Sequence, residues 1–392
     1  MAQENSDIVS LLDVNRLLYL PSTDASPSIN RVIRKQYPEK NIYVQEDVIV
    51  WNLHGAHFSD MSQSYISFDL EADQNISFGT GSVLNLFKEV RVIAPNGKEI
   101  SRTFKANLLQ KYLMYAKHST EFQLITQDLL TFGVGAIGTT NKYSVPLRLI
   151  EYFFETTQLL PPRLMEGLRI EITLERPNVA FKSNVTSFTL RNPEIAIDAY
   201  ELSNQVNIIL AQMPRLVYQY KTWKHTTFSM PTATTAANIT CNHSVSSALE
   251  AVVIPRSFAQ TVDGNQDSFK YNATLKDGAT QLWRWGSVRL PQNELDSTAE
   301  WFTNLIYCNG KLNSHSMKDF NIRFAEYKTD FATSNVNLRR SNVLENSGRE
   351  ISNQQLLQCD LKFIDSLDRI LDMYVCCIGR IVLDGDVVMV EQ

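Results

Sequence analysis

From about residue 42 onward, apolar and polar positions alternate with a period of two. The runs NIYVQEDVIVWNL, SYISFDLEA, VRVIAP, LRIEITLE, TSFTL and EIAIDAYEL either alternate or are short β-branched and aromatic stretches. Successive side chains of a strand point to opposite faces, so each run reads as a strand with one face on a core. Turn signals break the pattern roughly every ten residues, a spacing that predicts sandwiches rather than a parallel sheet. Asn96-Gly97, between VRVIAP and KEIS, predicts a hairpin turn because both residues accept positive φ. Asp384-Gly385, between GRIVL and DVVMV, predicts another.

Two segments depart from the alternation. Residues 104–118 place Leu108, Leu109, Tyr112 and Ala116 on one helical face, and residues 297–308 do the same with Trp301, Phe302, Leu305 and Ile306. Ser297 and Glu300 have the spacing of a capping box. The second helix begins about 190 residues after the first, and other features recur at a similar offset. LMEGLRIEITLERP (164–177) is echoed by QQLLQCDLKFI (354–364), and FTLRNPEIAIDAYEL (188–202) by RILDMYVCCIGRIVL (369–383). Three echoes in the same order predict a structural duplication. The chain then divides into an arm over 1–41, a first β domain over 42–205 and a second over 206–392. Within the arm, Ile8, Leu11, Leu12 and Leu18 behind Asp7 predict a short amphipathic helix. A turn-rich stretch (21–28) and a basic patch of Arg31, Arg34, Lys35 and Lys40 follow.

The 392 residues are 44% hydrophobic and 20% charged, enough to bury a sizeable core and too apolar for a disordered chain. A net charge of −5 argues against a protein that coats nucleic acid along its whole surface. There is no apolar run long enough for a membrane-spanning helix, and MAQENSDIV has neither the basic nor the apolar part of a secretory signal.

One stretch is more specific than periodicity. Residues 143–177 read YSVPLRLIEYFFETTQLLPPRLMEGLRIEITLERP: a Val-Pro-Leu opening, an aromatic run (Tyr152, Phe153, Phe154), a Leu-Leu-Pro turn (Leu159, Leu160, Pro161) and an alternating strand. This resembles the close of the first jelly roll in the double jelly-roll major capsid proteins. That family spans nucleocytoplasmic large DNA viruses, Polinton-like elements, adenoviruses and tailless membrane-containing phages. WRWGSVRLP (283–291) before the second helix is similar to a matching passage of the lineage, as is the final strand through Tyr374 to Leu383 and its short hairpin. The resemblance covers most of residues 42–392. The outer loops should be small, with 121–142 and 255–280 the longest.

The resemblance implies a mainly β protein of two tandem eight-stranded antiparallel jelly rolls with short helices and an N-terminal arm. It implies a shell subunit of a DNA virus, found in the virion. Three copies would form a pseudo-hexagonal capsomer and tile an icosahedral capsid. No catalytic residue, metal or cofactor is expected. The expected partners are further copies of itself and minor capsid or penton proteins. The arm, through Arg31, Arg34, Lys35 and Lys40, is expected at the inner face, near a membrane leaflet, minor proteins or genome. A tandem β-sandwich binding module, a lectin or receptor-binding spike, is the alternative; aromatic residues clustered in exposed loops would favour it.

Other chemistry-bearing residues read as structural. His54 and His57 are three apart but lack a third ligand in a matching motif. Glu71 with Asp73, and Asp365 with Asp368, are acidic pairs whose spacing alone sets up no cleft. Cys241, Cys308, Cys359, Cys376 and Cys377 lack metal-ligand spacing and read as buried thiols. Sequons at Asn75, Asn184, Asn238, Asn242 and Asn272 read as chance in an Asn- and Thr-rich β protein.

Overall fold

The structure, a computed structural model, describes residues 28–132, 135–156, 158–202, 215–259, 267, 276–309, 322–341, 347–384 and 387–391. The helix expected over residues 8–18, Asn272, Gly385 and most of 255–280 lie outside the described residues.

The first sandwich is built from β1 (Ser28–Gln36), β2 (Ile42–Val44), β3 (Val48–Asn52), β4 (Phe58–Ala72), β5 (Phe87–Ile93), β6 (Glu99–Phe104), β7 (Thr140–Pro146), β8 (Arg169–Leu174) and β9 (Phe188–Leu202). One sheet runs β1-β9-β4-β7, with β2 continuing the β1 edge along β9, and the other runs β3-β8-β5-β6. All pairings are antiparallel. With β1 and β2 taken as one interrupted strand, this is the eight-stranded jelly-roll order.

The second sandwich repeats it. Its strands are β10 (Arg215–Met230), β11 (Ala236–Thr240), β12 (Val245–Ser257), β13 (Thr280–Trp285), β14 (Val288–Leu295), β15 (Ser334–Asn337), β16 (Arg349–Ile351), β17 (Leu357–Lys362), β18 (Arg369–Asp384) and β19 (Val387–Glu391). The sheets run β10-β18-β12-β15 and β11-β17-β13-β14, with β16 and β19 added at the edges of β12 and β18. Position for position, β10 to β15 stand where β1/β2 to β7 stand, and β17 and β18 where β8 and β9 stand. The echoes seen in the sequence are thus equivalent strands: β8 with β17, and β9 with β18.

The helices fall in equivalent connections too. α1 (Ala106–Ala116) and α2 (Thr120–Leu130) lie between β6 and β7, and α3 (Thr298–Cys308) between β14 and β15. Ser297 caps α3 by accepting from the Glu300 amide at 3.3 Å, while the Glu300 carboxylate accepts from the Asp296 amide, one residue earlier than a capping box requires.

Three expectations need correction. Residues 28–36, read as part of a free arm, form the edge strand β1, because Arg31 and Lys35 reach across to Asp198 and Glu194 on β9. The loop expected over 121–142 begins as α2, which Ser119 caps by accepting from the Phe122 amide. At the β5–β6 turn only Gly97 takes positive φ, 79°. Its amide donates to Ala94 and the Ala94 amide to Lys98, so the turn carries one left-handed residue, not two.

Trp51, Phe68, Phe87 and Ile172 centre the first core, and Trp283, Trp301, Leu305 and Met373 the second. Each such side chain stabilises the fold by about 1.5–3 kcal/mol through burial. The cores interlock. Leu108, Leu109, Tyr112 and Leu113 of α1 pack into the second core, while Tyr218, Tyr220, Ile381 and Leu383 pack into the first. This explains the adjacent Cys376 and Cys377: they point to opposite faces of β18, and both are buried because β18 is covered on both sides. Burial pushes the Cys377 thiol up to about 12, so it stays protonated and inert.

Candidate assembly site

The seam between the two jelly rolls is crossed by a set of buried polar contacts. One half consists of β6, α1 and the turn Tyr152–Glu155 from the first roll. The other is the β10-β18-β12-β15 sheet of the second.

Asp372, on β18, is fully buried. Its carboxylate accepts from Lys105 at 2.6 Å, from Arg256 at 3.1 Å and from the Thr227 hydroxyl at 2.8 Å, and lies 2.9 Å from His225 Nε2. Burial alone raises its pKa. The His225 hydrogen bond and the Lys105 and Arg256 charges outweigh that and hold the carboxyl well below the usual range. Lys105 comes from the other roll, at the start of α1, where it takes a left-handed backbone with φ 47°. Such a conformation is costly for a residue with a Cβ. Two bonds from β18 fix it there, the Asp372 pair and a 3.0 Å bond from the Tyr374 hydroxyl to the Lys105 carbonyl.

At the far end of α1, Lys117 pairs with Glu250 of β12 at 2.7 Å. Between them the Tyr112 hydroxyl donates to Asn335 at 2.8 Å. Along β6, the Tyr220 hydroxyl donates to the Ile100 carbonyl at 2.8 Å, and Ser101 and Thr222 share a hydrogen bond. Sequence reasoning placed Tyr112 on the apolar face of its helix but singled out none of the charged groups of the seam. The available signal was a lone acid inside an apolar strand, Asp372 in RILDMYVCC and Glu250 in ALEAVVI. Such a residue needs a partner when buried.

Glu151, also buried, accepts from Ser101 at 2.8 Å. Burial raises its pKa, against the hydrogen bonds from Thr103 and Ser101. The folded chain therefore holds this proton above the ordinary range near 4.5, and stability falls as pH rises through that window. Glu151→Gln removes the titration. The melting temperature of the variant relative to the unaltered chain should rise as the pH is raised above about 4.5. A difference that stays flat across that range counts against this account.

The basic patch is divided by the structure. Arg31 pairs with Asp198 at 2.8 Å and Lys35 with Glu194 at 2.6 Å, within their own sheet. Arg34 and Lys40 have no ion pair among the described residues. His54 lies 3.0 Å from Glu166 and is not joined to His57. Glu71 pairs with Arg191, Asp73 accepts from Thr186, and Asp365 pairs with Arg369 and Lys276. Glu71, Asp73 and Asp365 thus tie together segments of their own sandwiches. Among the described residues no group of three or more His, Cys, Asp or Glu is placed to hold a metal.

No family model and no curated protein matches the chain by sequence. Solved structures match it in fold. VP54 of PBCV-1, as fitted into the reconstruction of the virophage Sputnik, superimposes with a TM-score of 0.68 at 10% identity, over 95% of this chain and 99% of that one. The Faustovirus major capsid protein gives 0.66 at 10% identity, over 95% and 94%. The mavirus major capsid protein gives 0.54 at 10% identity, over 94% and 92%. With the strand order of both sandwiches, these matches establish that the chain has the double jelly-roll fold found in the major capsid proteins of those viruses.

Proposed function

We propose that the chain is the major capsid protein of a DNA virus, forming homotrimeric capsomers of pseudo-hexagonal outline that tile an icosahedral shell. The observation that carries this reading is the duplication. Two sandwiches of one strand order are locked side by side in one polypeptide, so three copies offer six similar lateral faces. The surface supports the shell over the binding module. Large apolar side chains are exposed on the sheet edges of both rolls, Ile33 on β1 and Val288 on β14, where a subunit of a shell would bury them.

Light scattering on the purified protein tests the reading. The expected mass is about three times the 44.7 kDa of one chain, with hexagonal outlines in negative-stain images. A monomer at every concentration overturns it.

The arm is assigned to an inner-face contact. Residues 1–27 carry four acids and a single arginine, and of the basic patch only Arg34 and Lys40 have no ion pair among the described residues. That balance suits a minor capsid protein better than packaged genome or an anionic leaflet. Removing residues 1–27, which spares β1, should leave trimers intact and prevent shells from closing. Normal particles from the truncated chain refute the assignment.

A further inference from the structure

Beside the joint of the two rolls, the first roll holds a cavity of about 490 Å³. Its walls come from the end of α1, the start of α2 and the turns that follow β7. Every lining residue belongs to the first roll, so the site forms within a single copy. The lining divides by chemistry. Leu113, Phe122 and Tyr152 give it an apolar side, and Lys117, His118 and Arg148 a basic one. Glu155 is the single acid of the lining, and it is exposed.

Arg148 is the informative group. It sits in the short turn Leu147–Leu149, with its guanidinium 5.9 Å from the centre of the Phe122 ring. That ring also stacks on His118 at 4.5 Å. The Nε of Arg148 is covered and has no hydrogen-bond partner, and among the described residues Arg148 has no ion pair. Glu155 is near enough to feel its charge without pairing with it. Arg256 and Arg369 also carry an unmatched Nε, but each reaches a carboxylate through another nitrogen, on Asp372 and Asp365. Arg148 does not. A covered guanidinium N–H without an acceptor is costly, and the group that satisfies a guanidinium best is an oxyanion held by two parallel bonds. A second cation stands in the same wall, since Lys117 lines the cavity while pairing with Glu250 of β12 at 2.7 Å.

We propose that this cavity binds a small organic anion, a carboxylate or phosphate on a flat apolar body. The oxyanion takes the fork of Arg148 with Lys117 beside it, and the body lies against Phe122, Leu113 and Tyr152. An apolar wall with a few convergent polar groups, at this volume, is the usual make-up of a small-molecule site. The bound anion shares Lys117 with Glu250, so it rests on a contact that crosses between the rolls and braces their joint. The site is independent of the capsomer reading, because one copy supplies all of it.

The test is calorimetric titration of the full chain with benzoate, phenyl phosphate and inorganic phosphate, with melting temperatures measured alongside. One organic anion should bind saturably at one per chain and raise the melting temperature. The tighter of the two identifies the oxyanion, and inorganic phosphate should bind more weakly than phenyl phosphate because it lacks the apolar body. Arg148→Gln should weaken binding about 10- to 100-fold, while Glu155→Gln, which removes the acid from the wall, should tighten it. Circular dichroism checks that both variants fold. Photolabelling of the unaltered chain with 4-azidobenzoate needs no variant, and should mark residues 110–122 or 148–155. Failure of both organic anions to bind saturably, equal binding by Arg148→Gln, or a label placed elsewhere overturns the proposal. Inorganic phosphate binding as tightly as phenyl phosphate overturns the apolar half of it.

Discussion

Asp372→Ala should be among the most destabilising single substitutions in the described chain, costing about 3–5 kcal/mol. The loss does not come from the missing contacts alone. Arg256 and His225 have side chains only 6% and 7% exposed, and without the carboxylate both lose, inside the protein, the acceptor that faces them here. Lys105 in addition loses the bond that anchors its left-handed backbone. For a cooperative unit of ordinary domain size, the drop in melting temperature is about 6–20 °C. Lys105→Met should cost less, since Asp372 keeps Arg256, His225 and Thr227. The pH dependence carries a definite sign. Because the folded carboxyl is held below its ordinary value near 3.8, its contribution is fully present above that value and is lost as the solution is acidified. Asp372→Asn should therefore lack the part of acid destabilisation that the unaltered chain shows. Equal stability of the Ala variant and the unaltered chain in urea denaturation at pH 7 would falsify this account.

The duplication was the most legible feature of the sequence, because equivalent strands must present the same alternation to the same kind of core. RIEITL and LQCDLK occupy the same place in their sandwiches as β8 and β17. The helices were legible for the same reason, through Leu108, Leu109 and Tyr112 and through Trp301 and Leu305. What stayed hidden was mostly non-local. Nothing near Arg31 or Lys35 reveals that Asp198 and Glu194, some 160 residues on, will turn a basic stretch into an edge strand. The runs TSFTL and EIAIDAYEL, with Pro193 between them, form one strand, β9. There the neighbouring Asn192 absorbs the irregularity at φ 49°. The inter-roll seam was invisible for a further reason. Its charged groups, Lys105 with Asp372 and Lys117 with Glu250, are separated by 267 and 133 residues, and sequence spacing says nothing about such pairs.

Gly379→Ala is expected to destabilise the chain by about 1–3 kcal/mol, the range for forcing extra volume into a packed interior. Ordinarily the change in a strand favours alanine, because glycine loses more backbone freedom on folding. Here the sign reverses. Gly379 sits opposite Tyr220 in the β10–β18 register, and a Cβ at this position would clash with Cζ, Oη and Cε2 of the tyrosine. The ring cannot swing away at little cost. It is 2% exposed, packs edge-on against Phe153 with centroids 5.1 Å apart, and carries the hydroxyl that bonds the Ile100 carbonyl across the seam. The methyl group therefore strains the joint between the rolls as well as β18. A double-mutant cycle isolates the cause. In a Tyr220→Ala background the ring is gone, and Gly379→Ala should become neutral or slightly stabilising. If the alanine costs the same in both backgrounds, the glycine is required by the strand and not by the tyrosine.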